Sequence, residues 1–256
     1  MIRALFFHTV LVNSTFLLGI SAILAALLTR EPKYAHLAAR LWGRVNLWAA
    51  GVKVRVKGLA NLESGQPYIF LSNHQSAFDI LALLGKLPVQ FAWLAKEELF
   101  SIPVMGRAMS AAGYIPIDRS NRRKAMESLN ETAERIQKGT SVVIFPEGTR
   151  SPDGVLQPFK KGAFIIAAKA QQQIVPIAIS GSYRIVSRQC AGMVHPGVVD
   201  VMIETPISTV GLTAKDNETL MRTVRESICR HLTPEEGGLF PVDTNDSCLP
   251  VSNCRR

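Results

Sequence analysis

Residues 68–87 read YIFLSNHQSAFDILALLGKL, and this stretch decides the fold. Tyr68–Leu71 is a short, wholly apolar run of β-favouring residues, the pattern of a strand buried on both faces. Polar, turn-forming residues follow from Ser72 to Ser76, and Ile80–Leu87 then reads as a helix. Further out, Val52, Val54 and Val56 alternate with Lys53, Arg55 and Lys57, the period of a half-exposed strand. Ser141–Phe145, Ile174–Ile179 and Val198–Ile203 are short apolar runs of the same kind, each bounded by turn or polar residues. Helical patterns lie between them: Ala125, Leu129, Ala133 and Ile136 ending at Gly139, then Gly162–Ala170. A last helix carries Leu220, Val224, Ile228 and Leu232 behind a Thr213 cap with Asp216 three residues on. Buried strands alternating with helices predict an α/β fold, a mostly parallel sheet flanked by helices.

The chain has 256 residues, with 29 Lys+Arg against 20 Asp+Glu and a formal net charge of +9. Hydrophobic residues at 47% exclude an intrinsically disordered chain. The positive charge implies acidic partners such as phosphates, anionic lipid headgroups or nucleic acid. The four cysteines, Cys190, Cys229, Cys248 and Cys254, form no CxxC pair, which argues against a zinc site or a disulfide framework. His8, His36, His195 and His231 are scattered without ligand spacing, so a metal hydrolase is disfavoured.

Between Arg3 and Arg30 there is no charged residue, and such a stretch is long enough to cross a hydrocarbon core of ~30 Å. His8, Thr9, Asn13, Ser14 and Thr15 interrupt its first half. Three readings stay open: a transmembrane helix, a re-entrant or interfacial helical hairpin, and a cleaved signal peptide. Basic residues on both sides lean only weakly towards a cytoplasmic C-terminal domain. Leu37, Leu41, Val45 and Trp48 recur at helical spacing with Arg40 and Arg44 beside them. That helix either lies on anionic lipid or packs its apolar stripe on the domain. The organisation expected is a membrane-anchoring helical segment over 1–50, an α/β domain over 51–232, and a disordered tail over 233–256, where Pro234, Gly237, Gly238, Pro241 and Pro250 cluster.

The chemistry gathers at strand ends. His74 follows the buried strand Tyr68–Leu71, and Asp79 falls in the first turn of the next helix, near enough to reach an imidazole nitrogen. A carboxylate fixes the tautomer of such a His, whose other nitrogen can then accept a proton. With no Ser or Cys nucleophile beside it, the pair suits direct attack by a substrate hydroxyl on an activated acyl group. Phe145-Pro146-Glu147-Gly148-Thr149-Arg150 follows another buried strand and belongs at the same sheet edge. Its turn exposes backbone amides, and Arg150 offers a fork suited to phosphate. Lys160-Lys161-Gly162 opens the next helix and adds positive charge there.

Taken with Gly113-Tyr114-Ile115-Pro116-Ile117-Asp118-Arg119 and Val175-Pro176-Ile177, these make four ordered blocks. Their order and spacing resemble the glycerolipid acyltransferase family, whose bacterial members are 1-acyl-sn-glycerol-3-phosphate acyltransferases. The resemblance covers about Val52 to Thr205. It implies that His74 is the general base, oriented and charged by Asp79, that deprotonates the sn-2 hydroxyl of lysophosphatidic acid. The acyl donor it implies is acyl-CoA or acyl-carrier protein, acting as co-substrate, with no metal or other cofactor, and the product is phosphatidic acid. It assigns the glycerol 3-phosphate moiety to Arg119, Glu147 and Arg150, with Gly148 and Thr149 shaping the turn. Lys96 matches a lysine often found between the first and second blocks and reaches for the phosphate or the oxyanion. Val175-Pro176-Ile177 is expected as a buried strand lining the acyl channel. The partners expected are membrane lipids and no nucleic acid. The catalytic domain is expected on the cytoplasmic side of a membrane, the inner membrane for a bacterial chain. An acyltransferase for another lyso-lipid, such as a lyso-ornithine lipid, and a non-catalytic lipid-binding member of the fold are the alternatives.

Overall fold

The computed structural model describes residues 2–118, 120–186 and 193–238. Seven strands form one sheet: Val52–Lys57 (β1), Ile69–Ser72 (β2), Phe91–Lys96 (β3), Ile115–Ile117 (β4), Ser141–Ile144 (β5), Ile174–Ser180 (β6) and Gly197–Ile203 (β7). Their order is β1-β7-β6-β2-β5-β3-β4, parallel at every pairing except β6 with β7. The helices are Ile2–Thr29 (α1), Pro32–Ala50 (α2), Ala77–Lys86 (α3), Met105–Ala111 (α4), Arg122–Gln137 (α5), Gly162–Ala170 (α6), Ser182–Ile185 (α7) and Asn217–Cys229 (α8). The α/β expectation holds. Two strands, β3 and β4, have no counterpart in the sequence reading. β3 runs into Glu97 and Glu98, which give its apolar run a helical cast, and β4 is three residues long with Pro116 at its centre, a residue an edge strand tolerates.

The connections explain where a site can form. The chain moves from β2 through α3 to β3 in one direction across the sheet, then from β4 through α5 to β5 and through α6 to β6 in the other. Right-handed crossovers therefore put α3 on one face and α5 and α6 on the opposite one. β2 and β5 lie side by side at this reversal, where open α/β sheets hold their ligands. They pair Leu71 with Ile144, so His74 and Glu147, each three residues further on, leave the sheet level with each other.

α1 and α2 form a hairpin, with α1 packed on α2 and α4, and α2 packed on α3. The polar interruptions of the apolar segment have partners: Trp42 Nε1 donates to Thr15 Oγ1 at 2.9 Å and Asn46 Nδ2 to Ser14 Oγ at 3.0 Å. Asn13 donates to the Thr9 carbonyl within α1. Gly43 lets α2 and α3 approach closely, since a Cβ there would sit 3.0 Å from the Leu81 carbonyl oxygen and the Leu84 Cβ. The outer surface of the hairpin is apolar. Leu5, Val12, Leu17, Leu24 and Leu28 on α1, and Leu37, Leu41 and Trp48 on α2, are exposed. Of the two readings of this helix, the one that packs the stripe on the domain does not hold: the face of α2 packed there carries Ala35, His36, Gly43, Asn46 and Leu47, and the larger apolar stripe points outward.

The tail expectation is corrected at its start. Pro234–Glu236 form a short 3-10 turn, and buried Glu236 accepts hydrogen bonds from the Gly181 and Thr233 amides and the Ser180 hydroxyl. Residues 239–256 lie outside the described residues.

Candidate active site

The stretch from β2 to α3 builds the centre. Ser76 and Asp79 form a reciprocal capping box at the start of α3. The same Asp79 oxygen, Oδ2, accepts the Ser76 amide at 2.8 Å, the Gln75 amide at 2.7 Å and His74 Nδ1 at 2.8 Å. Asp79 is fully buried, and Oδ1 has no hydrogen-bond partner among the described residues. With Nδ1 donating to the carboxylate, the lone pair of His74 resides on Nε2. The imidazole stacks on Phe145 at 3.9 Å between ring centroids with 9° between the planes, and Phe145 stacks on Trp93 at 5.3 Å. Ring and carboxylate together leave His74 one orientation.

The turn after β5 closes over this pair. Gly148 sits at φ +77°, in the left-handed region that favours glycine, and its amide donates to the Phe145 carbonyl at 3.0 Å. A Cβ at Gly148 would lie 2.9 Å from Lys160 Nζ, so Lys160 flanks the turn. The Ser151 amide donates to the His74 carbonyl at 2.8 Å. Glu147 is buried: Oε1 accepts the His74 amide at 2.6 Å and Oε2 the Gln157 amide at 2.9 Å. Burial pushes the Glu147 carboxyl up to about 8, against the pull of those two amides.

His74, Gly148, Thr149 and Arg150 share a cavity of about 490 Å³. Its walls are apolar. α1 contributes Leu18, Gly19 and Ala22, α2 contributes Ala35, Ala38, Ala39 and Trp42, and α4 contributes Met105, Ala108 and Met109. Thr149 and Arg150 are exposed at its rim. The arrangement offers one proton-accepting nitrogen, a cationic rim and a long apolar interior.

A family model described as Acyltransferase matches residues 53–180, half of the chain. A 1-acyl-sn-glycerol-3-phosphate acyltransferase of Saccharomyces cerevisiae is 35% identical over 234 residues, covering 90% of this chain and 76% of that one. The chain belongs to the acyltransferase family. Among the family's members, a chloroplastic 1-acyl-sn-glycerol-3-phosphate acyltransferase of Brassica napus is 42% identical over 176 residues, covering 68% of this chain and 51% of its own. The crystal structure of the 1-acyl-sn-glycerophosphate acyltransferase of Thermotoga maritima superposes with a TM-score of 0.77 at 28% identity, covering 89% of this chain and 92% of that one. The chain spans 51%, 59% and 63% of the lengths of the Brassica, Arabidopsis thaliana and Mus musculus relatives.

The structure brings His74 and Asp79 into contact and sets Thr149 and Arg150 at the same cavity. Lys96 ends β3 and lines the cavity, with its ammonium 2.7 Å from Glu98 Oε1. Arg119 lies outside the described residues, and Asp118 beside it is held by Ser120 and Lys124. Two expected contributors are placed away from this cavity. Glu147 turns away from the cavity into the backbone behind His74. Val175, Pro176 and Ile177 are buried in β6 between β2 and β7 and are not among the cavity-lining residues, which come largely from α1, α2 and α4. Phe145, Trp93, Ser151 and Gln157 were not singled out from sequence for their contacts. Only the aromatic at position 145 carried a signal, as the last residue of an apolar strand entering the turn. Among the described residues no group of three or more His, Cys, Asp or Glu is placed to hold a metal ion.

Proposed function

We propose that the chain transfers a fatty acyl group from acyl-CoA or acyl-carrier protein to the sn-2 hydroxyl of 1-acyl-sn-glycerol 3-phosphate, giving phosphatidic acid. The observation that carries this is the buried His74–Asp79 pair opening into an apolar cavity with Arg150 at its rim. The names of the relatives point the same way.

In this reading the acceptor's phosphate meets Arg150, with Thr149 and Gly148 shaping the turn and Lys96 and Arg119 adding charge. His74 Nε2 takes the hydroxyl proton as the oxygen attacks the thioester carbonyl. The resulting imidazolium stays paired with Asp79. The tetrahedral oxyanion collapses, the carbon–sulfur bond breaks, and the proton on Nε2 leaves with the thiolate as thiol. General-base assistance of this kind contributes ~10²–10⁴-fold. The acyl chain occupies the apolar cavity.

The reading includes a membrane. Arg3–Thr29 is long and apolar enough to cross one. Its packing along α2 and α4 favours a hairpin lying in one face of a bilayer, with the exposed Leu37, Leu41 and Trp48 beside it. A lyso-lipid acceptor then enters the cavity from the lipid phase, and the net positive charge favours an anionic, cytoplasmic leaflet.

The test is thiol release by the detergent-solubilised chain given oleoyl-CoA or an acyl-carrier protein, with lysophosphatidic acid, lysophosphatidylcholine and a lyso-ornithine lipid in parallel. Turnover with lysophosphatidic acid, abolished in a folded His74→Ala variant, is the expected result. Turnover only with another acceptor would refute the substrate assignment. Silence with every donor and acceptor would leave a non-catalytic, lipid-binding protein.

A further inference from the structure

Glu147 is the site residue whose surroundings fit its expected role least. A carboxylate repels a phosphate, so a place among phosphate ligands would need it to hold a substrate hydroxyl instead. Its side chain is 2% exposed, and each oxygen already accepts a backbone amide, His74 at 2.6 Å and Gln157 at 2.9 Å. Behind Gln157 stands Arg225 of α8. Its guanidinium donates to the Gln157 carbonyl at 2.9 Å and the Leu156 carbonyl at 3.4 Å, and lies 5.7 Å from the centre of the Phe159 ring. Leu156 is held from a further side, its amide donating to the Glu236 carbonyl at 3.0 Å. Burial, joined by the charge of Asp79, holds the Glu147 carboxyl up at about 8, and the charge of Arg225 pulls against them with the two amides.

We propose that Glu147 is a positioning residue, not a substrate contact, and that Arg225 is its anchor, the two holding the main chain of His74 at the end of β2. The inference rests on the acyl-transfer reading above. The grip is two-sided: Glu147 takes the His74 N–H, and the Ser151 amide donates to the His74 carbonyl from the same loop. Asp79 and Phe145 orient the ring and Asp79 holds the Gln75 and Ser76 amides beyond it, while Glu147 and Ser151 grip the main chain of His74 itself and with it the height at which it leaves the strand. That height sets the distance from Nε2 to the acceptor hydroxyl, and a displacement of ~1 Å in such a geometry costs ~10²-fold in rate. Arg225 lies beyond residues 53–180, the part of the chain matched by the family model.

The test compares the full-length protein with Glu147→Gln, Arg225→Ala, Arg225→Lys and the Glu147→Gln/Arg225→Ala double variant, using oleoyl-CoA and lysophosphatidic acid. A glutamine keeps one acceptor and turns an amide donor towards a backbone donor. Glu147→Gln is expected to lower kcat by ~10²-fold with the acceptor KM held within about twofold. Arg225→Ala is expected to lower kcat by ~10-fold, Arg225→Lys to restore most of it, and the double variant to be no worse than Glu147→Gln alone. An acceptor KM raised by ~10-fold with kcat retained would make Glu147 a substrate contact and overturn the proposal. Additive losses in the double variant would overturn the anchor role of Arg225. Arg225 is only partly buried, so its variants carry the test should Glu147→Gln fail to fold. Failure of the wild type to release thiol would refute the transfer reading separately. The brace is then read from imidazole ¹⁵N resonances, assigned through His74→Ala. They shift in Glu147→Gln if the proposal holds, and unmoved resonances overturn it.

Discussion

Asp79→Asn separates charge from shape at this site. Oδ2 of Asp79 accepts all three of its hydrogen bonds, while Oδ1 is buried without a partner among the described residues. An asparagine can set its oxygen where Oδ2 stands and its amide nitrogen where Oδ1 stands. The capping box and the bond to His74 then survive, and only the negative charge is lost. Stability should fall little, by about 1–2 kcal/mol, from a buried unsatisfied amide and a weaker helix-dipole interaction. The rate should fall much further. With ring and carboxylate charges ~4 Å apart at an effective dielectric near 20, the imidazolium formed in the transition state loses about 4 kcal/mol, or ~10³-fold in kcat. The assay is steady-state thiol release alongside a thermal melt. A folded Asp79→Asn protein within about threefold of the wild-type kcat would show that the charge plays no part, and the role given to Asp79 would be wrong.

Three further outcomes follow from the same geometry. Arg150→Ala should raise the KM for lysophosphatidic acid by ~10-fold or more while leaving the oleoyl-CoA KM nearly unchanged; the reverse would move Arg150 to the donor. Glutamate at both Leu41 and Trp48, which are exposed on α2, should weaken co-sedimentation with anionic vesicles by ~10-fold or more without lowering the melting temperature, and unchanged partition would refute the membrane face. The third outcome concerns His36, which is buried against Tyr114 and Phe91 and held down at about 4, mainly by burial and then by the charge of Arg40. Its folded value lies below its ordinary one, so the stability it contributes is full above about 6.5 and is lost as pH falls through about 4. That loss amounts to ~3 kcal/mol at most. Glu147 slopes the opposite way, because its raised value makes stability fall as pH rises through about 8. The readout is therefore the difference between wild type and His36→Gln, which keeps a partner for the Tyr114 hydroxyl. Parallel stability curves between pH 4 and 6.5 would refute the assignment.

Local chemistry made much of this molecule legible in advance. Strand, polar turn and helix over residues 68–87 come from apolar runs, polar turn-forming residues and a carboxylate within one helical turn, all short-range effects. The approach of Asp79 to His74 follows from the same local geometry, since five residues across a strand-to-helix turn leave few other arrangements. The 3-10 turn at Pro234 was missed because Pro and Gly dominate its composition, while the buried hydrogen bonds of Glu236 to Ser180 and Gly181 depend on residues more than 50 positions away.

Sequence by itself determined that an α/β sheet carries His74 and Asp79 at one strand end, the turn with Arg150 at another, and an apolar segment in front. Tertiary structure alone decided what these groups face. The pairing of Leu71 with Ile144 brings Glu147 under the backbone of His74, and that register is a pairing of strands more than 70 residues apart in the chain. The outward stripe of α2 was likewise undecided in sequence, because a stripe of Leu and Trp suits a protein core and a lipid surface equally. Gly43 favours the outward arrangement, since a Cβ there would sit 3.0 Å from the Leu81 carbonyl oxygen and the Leu84 Cβ, so the face that bears it meets α3 and Leu37, Leu41 and Trp48 stay outside.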